Sequence, residues 1–186
     1  MQASMWLVLA MAIVAAAALD HLHVARTAIA LGPPRSFGVV HLRLPVGWIV
    51  QVGSEDDPLV AFIAREPNKD STGGHRSIRL YREHLRADIP PELYLMRTPI
   101  REEVFSNLDV SQEQTRFGRN RAILLKATMI SDGQESAEID TELVLCAMFP
   151  GHEAVTLRLS KNSDFANSDQ ILLNKIADSV SVDGGK

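Results

Sequence analysis

Three groups of polar residues are arranged as ligand, anion-binding or hydrolytic sets would be. Glu138, Asp140 and Glu142 recur at every second position. On a strand such residues share one face, and three carboxylates in a row offer oxygens to Ca²⁺ or Mg²⁺. Hard cations need further oxygen ligands, so the row is expected to be a solvated sheet face with a cross-strand partner. Matching Ile123 and Leu125 against Ile139, Thr141 and Leu143 places Lys126 opposite it. Arg76, Arg79, Arg82 and Arg86, with His75 and His84, make a basic stretch able to meet an anionic partner or lipid headgroups. Strand parity splits these arginines between two faces, which favours a solvated face over a coherent patch. His84 or His152 beside a carboxylate and a nucleophile would make a hydrolytic site.

The remaining chemistry is sparse. The single cysteine, Cys146, lies in the apolar run Leu143–Met148. It is expected to be a small buried hydrophobe, because a reactive thiolate needs an electropositive, partly exposed setting. One cysteine allows no intrachain disulfide and no cysteine-based zinc site. No G-x-S-x-G, Walker loop, H-E-x-x-H, Rossmann fingerprint or EF-hand loop is present. The sequence therefore assigns no catalytic, cofactor-binding or metal-ligating residue, and no cofactor. A net charge of −4 does not favour nucleic acid as a partner.

The elements that must position these residues begin after an apolar leader. Met1 to Leu19 carry no charge. Nineteen residues at ~1.5 Å each approach a hydrocarbon core of about 30 Å. Residues 1–31 are expected to form an N-terminal transmembrane or signal-anchor helix, with contact to the membrane through residues 1–19. Cleavage near Ala18 is the alternative and would export the rest. His21 and His23, two apart on a helix, point in different directions and suit headgroup level better than a metal. Residues 32–36 read as a linker. Residues 37–183 read as one globular domain of a size that supports its own core.

Within that domain Phe37–Leu44, Trp48–Val52, Leu59–Arg65, Arg76–Glu83, Gly118–Ile130, Ala137–Met148 and Ala154–Ser160 alternate or run apolar as strands do. Pro90-Pro91-Glu92 starts a short helix. Residues 100–118 give no clear pattern. Asn167 is expected to cap a last helix, with Gln170 at N3 and Leu172, Ile176 and Val180 as its stripe. Ser179–Val182 should leave it as a short extended segment. Leu143–Met148, apolar on both parities, marks a strand covered on both faces.

Leu44-Pro45-Val46-Gly47-Trp48 resembles the early P-x-G-W hairpin of the PsbP-like family. Ala154–Leu159 followed by Phe165 and Ile171–Val180 is similar to that family's last strand and last helix. The family includes the photosystem II extrinsic protein, the nuclear Ran-release factor and the Eag chaperones of type VI secretion effectors. The resemblance implies an α+β fold, a mainly antiparallel sheet sandwiched by helices (α/β/α). It also implies a binding or accessory role and carries no catalytic signature. The expected function is a membrane-tethered, non-enzymatic binding or accessory domain whose partner is another protein. The alternatives are a small hydrolase with an unrecognised site, or a chaperone shielding an apolar helix of a partner.

Overall fold

The computed structural model describes residues 29–53, 58–69, 75–95, 109–132 and 137–183; for 109–110, 129–132 and 137–140 the description is of the backbone. The chain divides into two units, Met1–Ala30 and Leu31–Lys186. The anchor expected over residues 1–31, with His21 and His23, lies almost wholly outside the described residues. Among the described residues no helix is long and apolar enough to cross a membrane.

The second unit holds ten strands and two helices among its described residues. A three-stranded sheet has the order β1-β2-β10, formed by Leu31–Phe37, Val40–Pro45 and Ser181–Val182. A seven-stranded sheet has the order β3-β4-β5-β9-β8-β7-β6. Its strands are Ile49–Val52 (β3), Val60–Arg65 (β4), Arg76–His84 (β5), Asp109–Phe117 (β6), Asn120–Asp132 (β7), Ala137–Phe149 (β8) and Glu153–Lys161 (β9). Every pairing is antiparallel. The helices are α1, Pro91–Leu95, and α2, Asn167–Asp178.

Directly paired residues share a face, so the registers map the core. Phe62, Leu80, Leu157, Leu145 and Leu124 run across five strands on one face, nearly all of it sealed from solvent. Arg76 and Lys161 are paired on that face and both reach Asp169, which fixes α2 over it. The small sheet packs there too, with Phe37 and Phe62 at 4.3 Å between ring centres. The opposite face gathers Tyr81, Cys146, Val144, Ile123 and Leu125 under Tyr94 and Leu95 of α1.

This corrects the helix-sandwiched α/β/α expectation. The sheet is mainly antiparallel, but much of its cover is another sheet, and α1 has five residues, too few to form a layer. The residues read as a linker, Gly32–Ser36, belong to β1. Phe37–Leu44 is not one strand. Gly38, at φ 65°, turns the chain between β1 and β2, a conformation that glycine adopts without a Cβ penalty. The β7–β8 register also differs from expectation. Ala127 faces Glu142 and Lys126 faces Leu143, because β7 and β8 are buried on both sides and apolar parity could not choose between them. Asn167 does not cap α2: the cap position is Ala166, and Asp169 at N3 accepts the Ala166 N–H at 2.8 Å. Val180 lies past the helix end, half-buried, while Leu172 and Ile176 are buried.

Candidate functional site

β3 and β6 are the two edges of the large sheet. An edge strand exposes unpaired backbone groups, and proteins usually blunt it with charge or polar side chains. β6 is blunted: Gln112, Glu113, Gln114 and Arg116 are exposed along it. β3 is not. Val46 in the preceding turn, and Ile49 and Val52 on the strand, are 67%, 64% and 75% exposed. With Leu93 they make up the exposed large hydrophobic residues among those described. Isolated exposed apolar residues are ordinary; here three of them sit together along one edge.

The C-terminal end of β3 opens into a groove of about 320 Å³. Phe37, Val52, Pro58 and Leu59 give it apolar walls, and Arg82 and His84 of β5 its polar end. Glu153 of β9 orients both. Arg82 donates to it through Nε at 2.9 Å and Nη2 at 3.3 Å, and His84 Nδ1 lies 3.0 Å away. The Arg82 hydrogen bonds, more than burial opposes them, hold the Glu153 carboxyl below its ordinary range and raise Arg82. Gly38 lets the guanidinium close in, since a Cβ there would sit 2.6 Å from Arg82 Nη1.

His84 thus has its carboxylate, but the described lining offers no hydroxyl or thiol nucleophile. His152 has Asp88 at 2.8 Å on an exposed turn. A different trio carries the connectivity of a hydrolytic relay. Ser36 Oγ lies 2.8 Å from His41 Nδ1, and His41 Nε2 lies 2.7 Å from Asp183 Oδ2. The three come from β1, β2 and the chain just after β10, and sequence distance hid them. Asp183 is 70% exposed. The trio ties the C-terminal strand to the small sheet, as does the Asp183 N–H on the Val39 carbonyl.

The other sequence candidates resolve into structure. Glu142 is not solvated. It is buried and receives Arg158 Nε at 2.8 Å and Nη2 at 2.6 Å, with Ser160 Oγ at 3.1 Å. The side chains of Glu138 and Asp140 lie outside the described residues. Among the described residues no cluster of ligating side chains is present. Arg76 is not solvated either: Glu66 grips it at 2.8 and 2.7 Å and raises its pKa, with Asp169 at 3.3 Å. Arg82 shares that face, Arg79 points to the other, and Arg86 is exposed. Cys146 is sealed, and desolvation pushes its thiol up to about 12.

The fold is similar to that of LpqN. The solved structure of that protein, described as involved in cell envelope biogenesis of Mycobacterium tuberculosis, matches with a TM-score of 0.56 at 17% identity, over 81% of this chain and 84% of LpqN. At that identity the likeness is one of fold. No family model and no curated protein matches the chain, so the PsbP-like resemblance rests on its quoted residues alone.

Proposed function

We propose that the chain is a membrane-tethered, non-enzymatic accessory domain that binds an extended segment of another protein by strand addition along β3. The observation that carries this reading is the contrast of edges: β6 is blunted by polar side chains, whereas β3 presents Ile49 and Val52 with Val46 beside them. Strand addition draws affinity from backbone hydrogen bonds and specificity from pockets for alternate side chains. The groove at the end of β3 is such a pocket, apolar-walled with a fixed Arg82 at its polar end. The uncharged run Met1–Leu19 supports the tether, and LpqN, whose fold is similar, is described as involved in cell envelope biogenesis. β9 is buried along nearly its full length, which leaves an edge, rather than an open apolar sheet face, as the docking element.

Ile49→Lys with Val52→Lys tests this, because both sites are exposed and lysine is an edge blocker. The double variant should fold with an unchanged melting temperature and lose the proteins that co-purify with the wild type from detergent-solubilised membranes. An unchanged set of co-purifying proteins refutes the reading.

The Ser36–His41–Asp183 relay favours a second reading, a small hydrolase. With Nε2 donating to Asp183, the neutral ring's Nδ1 accepts the Ser36 hydroxyl proton. Labelling by a fluorophosphonate that disappears in Ser36→Ala and His41→Ala would establish it. The binding reading expects no labelling at Ser36.

A further inference from the structure

We propose that Arg79 anchors an oxyanion site, for a carboxylate or a phosphate, on the sheet face opposite α2. Its neighbours show why it stands apart. Arg76 is bound by Glu66 and Asp169, Arg82 by Glu153, Arg121 by Glu92 and Arg158 by Glu142. Arg79 has no ion pair or hydrogen bond among the described residues, and its Nε is buried without an acceptor. Directly across the β5–β9 ladder stands Arg158, and like charges facing each other on adjacent strands repel. Glu142 neutralises one of the two, so the Arg79 charge is left uncompensated.

Arg65, paired with Ser77 on that face, is exposed at the end of β4 and adds a further cation. A buried donor left without an acceptor is costly, and the Arg79 Nε–H calls for an acceptor group. A planar guanidinium meets a carboxylate or phosphate through two parallel N–H bonds. Ile63, opposite Arg79, and Tyr81 flank the position with apolar surface, which suits an anion carried on an organic body. The site is on the opposite face from Arg82 and is independent of the β3 edge.

The test is titration of the full chain in detergent with sodium octanoate and, separately, with inorganic phosphate, followed by calorimetry and by the Arg79 Nε–Hε resonance. One of the two anions should bind and shift that resonance, and which one binds tells carboxylate from phosphate. Affinity should fall at least tenfold in Arg79→Ala and by less in Arg79→Lys, which keeps the charge but loses the fork. If neither anion moves the Arg79 resonance, or if binding survives Arg79→Ala in a variant with native circular dichroism, the proposal is overturned.

Discussion

Asp169→Asn is the substitution whose cost follows most directly from the structure. Asp169 is fully buried at the third position of α2, where it accepts Ala166 N–H at 2.8 Å, Lys161 Nζ at 3.1 Å and Arg76 Nη1 at 3.3 Å. The Lys161 side chain is itself 0% exposed. Asparagine keeps an oxygen for the Ala166 N–H, so the helix start survives. The negative charge is lost, and Lys161 stays buried without it. Removing one partner of a buried ion pair costs about 3–5 kcal/mol. For a domain of this size each kcal/mol lowers the melting temperature by about 2–4 °C, so the shift is roughly 6–20 °C. Urea unfolding should show a lower midpoint at unchanged slope. Adding Lys161→Met should recover most of the loss, because a well-packed apolar pair replaces a buried ion pair at little cost. A single-variant loss below about 1 kcal/mol, the range of a solvent-screened pair, refutes the reasoning.

Further expectations concern protons and location. The Cys146 thiol is raised to about 12 by desolvation, so the folded state holds its proton more tightly than the unfolded chain. Its contribution to stability is complete below the unfolded thiol value and lost as pH climbs toward about 12, at about 1.4 kcal/mol per unit. Cys146→Ala should flatten that alkaline limb in denaturation midpoints measured against pH, and native Cys146 should react with maleimide far more slowly than in denaturant. Glu153 is lowered, chiefly by the Arg82 hydrogen bonds. Its contribution is present above the ordinary carboxylate value and lost as pH falls through the lowered one, so an acid unfolding curve for Glu153→Gln should lack that component. Carbonate-washed membranes should retain the chain with its N-terminus intact, and a mature protein beginning near Leu19 would replace the anchor with a cleaved signal.

Strands with a single buried parity were legible. Val40, Leu42 and Leu44 alternate because one side of β2 is buried, and they are buried in the fold. β8 was recognisable as a doubly covered strand from Leu143–Met148, but the same property erased its register, since apolar residues on both parities fit either alignment. The cap of α2 was displaced by one residue because Asp169 serves both the helix start and the buried cations, a link of 93 positions to Arg76 that no local pattern encodes. β6 was missed because its exposed polar face carries no hydrophobic period. The Glu153 partner of Arg82 and His84 was hidden for the same reason as the Asp183 partner of His41: the fold joins residues that lie 69 to 142 positions apart. The edge itself could be read only from topology, since the composition of Ile49–Val52 is that of any half-buried strand.

Site-specific photo-crosslinking from the β3 edge reports what lies along that strand. With p-benzoylphenylalanine at Val52 in the tethered protein in its own membranes, irradiation should give one adduct. Its linked peptide should map to an alternating apolar, extended segment of a different protein, and Ile49→Lys should abolish it, while the same probe at Gln112 on the polar edge gives none. No adduct at Val52, an adduct to a second copy of this chain, or equal labelling from Gln112 would contradict strand addition at β3.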